Sequence, residues 1–342
     1  MKTNSESGFT LLELTVAAML TVGLVGAVSA LMNRNQQVYV TEASVTDLNE
    51  NVRTAVDYMT RDIQSAGMGL PRPNSSFAGL FYNDGASGAP DQVLMVNGDP
   101  YAPNAYIDSQ ASASATFTFP LPSEVTVTGS GSTSHFTYLD QHAGQTKNLY
   151  EAYSTTNKYY ICYDDTKAVV FALTSNGQYA GGKAQLSHDT SNAMNRAGIY
   201  GTRIDQLFST PVDAGEPNYG NAQVSVLGGL VAYRVNQATK ELERTEDLNN
   251  WYGIARGITN LQVQYRTVSG TAANPINNVT SAPGDRTTIR SATITISAET
   301  PDLPPGNKGY RQAVQTFEVA PRNLNLLRNN NLSANTKGTW AF

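Results

Sequence analysis

A single cysteine, Cys162, stands among 342 residues, so no disulfide within one chain can staple this fold. It lies in Tyr159-Tyr-Ile-Cys-Tyr163, a strand-like run in which a small thiol is expected to pack as a buried apolar group. Charge is scarce too. Only 15% of residues are charged and the net charge is −5, so the chain lacks the basic surface that a phosphate backbone requires. Nucleic acid is therefore not an expected partner. The three histidines, His135, His142 and His188, have neither metal-ligand spacing nor a paired-carboxylate motif, and each is expected in a solvated or loop role. There is no Gly-rich phosphate loop, Gly-x-Ser-x-Gly elbow or Cys-x-x-Cys pair. No catalytic constellation, cofactor or metal is expected. The adjacent acids Asp164 and Asp165 could join a calcium site, but adjacent acids of this kind are far more often just a turn. A low-charge chain rich in Ser, Thr, Asn and Gly suits an exported β-rich domain better than a cytosolic enzyme.

Proline is missing from the first 70 residues, and in the stretch from Phe9 to Met32 the only ionisable side chain is Glu13. These 24 residues, as a helix rising ~1.5 Å per residue, reach roughly 36 Å, enough to cross a bilayer core of ~30 Å. A carboxylate costs on the order of 2.5–3 kcal/mol at the centre of a membrane helix and less towards its end. Glu13 therefore calls for a compensating partner. A secretory signal would place its small residue after a shorter apolar run, and an ordinary single-pass anchor would leave Glu13 unexplained.

The helix is expected to continue beyond Arg34. Val45, Leu48, Val52, Ala55, Met59, Ile63 and Ala66 recur at steps of three and four and form one apolar stripe. Asp57 and Arg61 have the i,i+4 spacing of a supporting ion pair. Gly67, Gly69 and Pro71 then supply stop chemistry. One helix of roughly 87 Å, apolar all round in its first half and striped in its second, follows from ~1.5 Å per residue. Gly23 with Ala27, and Gly26 with Ala30, have the spacing that lets helix backbones approach closely, a spacing that is also common by composition alone.

From about residue 70 to 223 helical periodicity disappears. Short strand-like runs at 93–96, 116–119, 125–128, 159–163 and 168–173 alternate with Gly, Ser, Pro and Asn, and 109–114 and 129–134 read as loop tips. Residues 224–235 and 241–245 then read as a hairpin. Alternation in 257–266, 291–298 and 313–319 adds further strands, four or five in all, forming an antiparallel sheet with one buried face. Residues 323–331 read as a polar tail.

Gly8-Phe9-Thr10-Leu11-Leu12-Glu13 resembles the processing site of type IV prepilins and of the related pseudopilins of type II secretion. The resemblance implies a prepilin peptidase that cuts after Gly8 and methylates the amine of Phe9. It also implies that Glu13, flanked by Leu11, Leu12 and Leu14 and followed by Gly23 and Ala27, serves subunit assembly by pairing with the N-terminus of a neighbour. Arg61-Asp62-Ile-Gln-Ser-Ala-Gly67, Leu230-Val-Ala-Tyr-Arg234, Leu242-Glu-Arg244 and Gly257-Ile-x-x-Leu261 with Tyr265 resemble PilW-type minor pilins, relatives of J-type pseudopilins. The stretch 70–223 resembles nothing nameable.

The implied architecture is α+β and pilin-like: a leader at 1–8, a transmembrane and assembly half-helix at 9–32, an amphipathic half at 33–67 and a β-rich head at 68–342. Within that head, a variable insertion spans about 70–223 and a core sheet about 224–320. The implied localisation is the bacterial inner membrane, single-pass with the head in the periplasm, and then the pilus or cell surface. Other minor pilins and the major pilin are the implied partners, and pilus priming, adhesion, motility or DNA uptake the implied roles. A secretion pseudopilin of J type and a membrane-anchored adhesin or binding module are the alternatives.

Overall fold

The computed structural model describes residues 10–70, 79–107, 109–110, 116–151, 159–163, 168–189, 195, 223–270, 275–281, 289–300 and 309–322. The expected calcium candidates Asp164 and Asp165, and the tail at 323–331, lie outside them.

One α-helix, Leu11–Ser65, runs unbroken for 55 residues. At ~1.5 Å per residue it extends about 82 Å. Up to Val40 every residue is exposed, and the stripe then turns inward. Leu48, Val52, Ala55, Met59, Ile63 and Ala66 are buried, whereas Val45 is only half-buried. Each fully buried aliphatic side chain contributes about 1.5–3 kcal/mol. This half-helix is therefore held by packing rather than by its own propensity. The ion pair on its outer face is Arg53 with Asp57 at 4.0 Å, one turn earlier than the sequence spacing of Asp57 and Arg61 suggests.

The helix stops where backbone must meet backbone. Gly69 has φ +71°, and a Cβ there would lie 2.6 Å from the Gly98 carbonyl oxygen. The Gly67 N–H donates to Val96 O at 2.8 Å and the Gly98 N–H to Met68 O at 2.9 Å, welding the helix exit to the strand Gln92–Gly98.

All sheet pairings are antiparallel. The largest sheet is built on the 14-residue strand Gln223–Asn236. Its second half is flanked by Gln92–Gly98 and Glu241–Thr245, which carry Leu80–Asn83 and Tyr252–Arg256 at the margins. A register shift between Leu227 and Gly229 passes its first half to Tyr159–Tyr163 and Ala105–Tyr106. A second sheet orders four strands as Pro275–Thr280, Ile258–Gly270, Ile289–Glu299 and Gln312–Val319. Its inner residues Leu261, Val263, Tyr265, Ala292, Ile294 and Ile296 share one core with the helix stripe.

Two smaller sheets occupy the middle of the chain, with Phe119, Phe136, Tyr150, Tyr160 and Phe171 in a separate aromatic core. Cys162 is fully buried in that core. His135 and His142 are exposed; His188 lies in the loop that follows Lys183–Ser187 but is buried there instead of solvated, 4% exposed and meeting Phe171 edge-on. The stretch read as a variable insertion contributes Leu80–Asn83 and Gln92–Gly98 to the sheet built on Gln223–Asn236. These make an α+β fold with one long helix laid against antiparallel sheets.

Candidate functional site

The exposed half-helix is the feature that an isolated chain leaves least satisfied. Leu11, Leu12 and Leu14 are 80%, 73% and 67% exposed, and the helix is long and apolar enough to cross a membrane. Gly23 has open space where a Cβ would stand, as does Gly26, and Ala27 lies one turn beyond Gly23 on the same side. Gly8 and Phe9 lie outside the described residues.

Glu13 is not wholly alone. Thr10 is the N-cap, and the two residues form a reciprocal capping box. The Thr10 N–H and hydroxyl both donate to Glu13 Oε2 at 3.0 Å, and the Glu13 N–H donates to Thr10 Oγ1 at 3.3 Å. Glu13 Oε1 makes no hydrogen bond among the described residues. Sequence reasoning missed this partner although its signal, Thr-x-x-Glu before an apolar run, was legible. The box fixes the carboxylate in the first turn with one oxygen still open.

A second cluster fixes the stem to the head. Tyr233 and Arg244 face each other across the hairpin of Gln223–Asn236 and Glu241–Thr245. The Tyr233 hydroxyl and Arg244 Nε, the latter at 2.8 Å, both donate to Asp62 Oδ2 near the end of the helix. Arg244 Nη1 also donates to Glu246 at 2.6 Å. Burial opposes the charge on Arg244, but its bonds to Asp62 and Glu246 outweigh that and hold its pKa above the ordinary value. Burial, then the adjacent Asp62, pushes the Tyr233 hydroxyl up as well. One step along, Arg234 Nε donates to Glu243 at 2.7 Å, and its guanidinium lies 4.0 Å from the centre of the Trp251 ring. Asn236 Nδ2 donates to the other Glu243 oxygen at 2.8 Å.

Two tight turns complete the frame. Burial pushes the Asp91 carboxyl up, while the N–H groups of Gly85 and Val263 at 2.8 and 2.7 Å, which favour its charged form, only partly offset this. Burial works against the charge on Asp247, yet the N–H groups of Asn250 and Asn249 outweigh it and bring its pKa down to about 2.

The sequence segments that carried the minor-pilin resemblance thus meet in space, because Asp62, Tyr233 and Arg244 come from three of them. Among the described residues, no three His, Cys, Asp or Glu side chains group closely enough to hold a metal. The chain matches no protein-family model, no curated protein and no solved structure.

Proposed function

We propose that this chain is a minor pilin of PilW type, cut after Gly8 by a prepilin peptidase, N-methylated on Phe9, and assembled through its stem at the tip or priming complex of a type IV pilus. The observation that carries the reading is an exposed apolar helix surface from Leu11 to Met32, whose one acid stands four residues beyond Phe9. Such a surface is stable only in lipid or against other helices. The inner membrane supplies the first setting, and a bundle of pilin stems the second.

In the bundle the open Oε1 of Glu13 accepts the methylated ammonium of a neighbouring Phe9. A buried charge pair tolerates low dielectric when each ion has its partner, and it fixes axial register between subunits. Thr10 acts as a positioning residue, holding the carboxylate in the first turn before the neighbour arrives. The clasp at Asp62 sets the direction in which the head leaves the stem. A head this large would crowd a tightly repeating shaft, which favours a terminal position.

Replacing Gly8 with a bulky residue tests the processing step. An uncleaved precursor on a gel is the expected outcome, and unchanged mobility would favour a plain membrane anchor. For Glu13→Val, cleavage proceeds normally while pilus incorporation falls. Normal incorporation would remove the charge-pairing role.

A further inference from the structure

Two exposed rings are held face to face on the head. Tyr101 and His142 lie with their ring centres 5.0 Å apart and their planes within 6° of parallel. Tyr101 is 48% exposed, and His142 is exposed as well. Tyr101 belongs to the turn that follows the strand Gln92–Gly98, and His142 to the turn that follows the strand His135–Asp140. The Gly98 N–H donates to Met68 O just past the helix end, so the first of these turns stands at the opposite end of the helix from Leu11.

A charged network fixes both turns. Asp99 Oδ1 accepts the Tyr101 N–H at 3.0 Å, and Asp99 Oδ2 accepts the Tyr138 hydroxyl at 3.0 Å and Lys147 Nζ at 3.3 Å. Lys147 also reaches Asp140 Oδ2 at 2.7 Å, while Asp140 Oδ1 accepts the N–H groups of His142 and Ala143 at 2.9 and 3.1 Å. The bond from Lys147, then that from Ala143, holds the Asp140 carboxyl below its ordinary pKa. One lysine thus ties the turn of Tyr101 to the turn of His142 without help from either ring. Tyr101 belongs to none of the apolar cores, and its stack adds only about 0.5–1.5 kcal/mol. The fold does not depend on these rings, yet it orders them. Ordering a surface before its ligand arrives lowers the entropy lost on binding.

Ring geometry and charge select the ligand. A cage for a methylated ammonium needs aromatic faces on several sides of the cation, whereas two parallel rings 5.0 Å apart leave no room between them. Two carboxylates against one ammonium give the network one negative charge in excess, which disfavours phosphate, sulfate and sialic acid chains. A neutral molecule with a flat C–H side remains, because the negative face of an aromatic ring attracts weakly positive C–H groups. A pyranose has such a side and a rim of hydroxyls. Polar groups to meet that rim are at hand. The Tyr101 hydroxyl and the His142 ring nitrogens make no hydrogen bond among the described residues, and Lys147 spends two of its three N–H groups on carboxylates.

We propose that Tyr101 and His142 form a platform for a neutral saccharide, with one pyranose seated on the exposed side of Tyr101 and its hydroxyls meeting Lys147 and the ring-edge groups. Two rings offer little area, so binding is weak, on the millimolar scale. The platform lies on the head, away from the bare stem, and does not rest on the assembly role proposed for that stem.

Saturation-transfer NMR on the full chain in lipid nanodiscs, free of sugar-headed detergent, tests this. The probes are cellohexaose, chitohexaose and mannohexaose, with a heparin hexasaccharide and trimethyllysine as the competing classes. The expected result is transfer to the ring C–H protons of at least one neutral probe. Tyr101→Ala should then weaken its binding by roughly tenfold or more, the loss of one well-placed aromatic contact. Tyr101→Phe keeps the ring face and should stay within about threefold of the native chain. Both side chains are exposed, so the alanine variants should melt as the native chain does. If Tyr101→Ala fails to fold, His142→Ala must show the weakened binding by itself. No transfer to any of the three neutral probes would overturn the proposal, as would binding that these alanine variants leave unchanged. Tighter binding of the heparin fragment would overturn it in favour of an anion site, and tighter binding of trimethyllysine in favour of a cation site. The N-terminus found in the same preparation bears on the pilin reading alone, which keeps the two separate.

Discussion

At the residue scale, two carboxylates do different work. Asp62 Oδ2 collects the Tyr233 hydroxyl and the Arg244 guanidinium from adjacent strands. Asp62→Ala leaves a partly buried arginine without its main counter-charge and should destabilise the chain by about 2–4 kcal/mol, measured by denaturant unfolding in micelles. The double variant with Arg244→Met should cost less than the sum of the two singles, because the stranded charge is then gone. Asp247 sets the acid response. Its folded pKa of about 2 lies below the ordinary value of 3.8, so its stabilisation is complete above about pH 4 and disappears as pH falls towards 2. A pH series of thermal melts should therefore fall more steeply over that window for the native chain than for Asp247→Asn. Thr10 belongs here too: Thr10→Ala removes a cap worth about 1 kcal/mol and frees Glu13 from its fixed position.

At the element scale, the helix divides at about residue 41 into a half that the head buries and a half that it leaves bare. Met59 is fully buried against the sheets, so Met59→Ala should lower head stability by about 2–5 kcal/mol. Leu20 is 70% exposed, so Leu20→Ala should leave the melting temperature unchanged and, on the proposed function, reduce incorporation into pili. A change in melting for Leu20→Ala, or none for Met59→Ala, would contradict this division. The helix was legible because its stripe follows the 3.6-residue period, and Leu48, Val52, Ala55, Met59 and Ile63 are buried as that period requires. The hairpin of Gln223–Asn236 with Glu241–Thr245 was legible from alternation. Tyr252–Arg256 and Pro275–Thr280 were not, because they lie at sheet margins, the first burying only Ala255 fully and the second leaving 276–279 exposed. The role of Gln92–Gly98 in the main sheet was hidden as well, since its partner Gln223–Asn236 lies more than a hundred residues away. The burial of His188 was not legible, because its polar neighbours in sequence say nothing of Phe171, which faces it in space. The clasp was visible only as separate motifs, because convergence on Asp62 is a long-range property.

At the scale of the whole molecule, a folded head and a bare apolar stem are stable in different surroundings. The head has cores of its own, while among the described residues nothing packs against the stem between Leu11 and Val40. The proposed function would resolve that mismatch by moving the stem from lipid into a bundle, with Glu13 answering a neighbouring amine in the second setting. The most direct measurement is mass spectrometry of the mature N-terminus from purified surface fibres. The account predicts a chain that begins with N-methylated phenylalanine at position 9. Functional chains still starting at Met1 would contradict it.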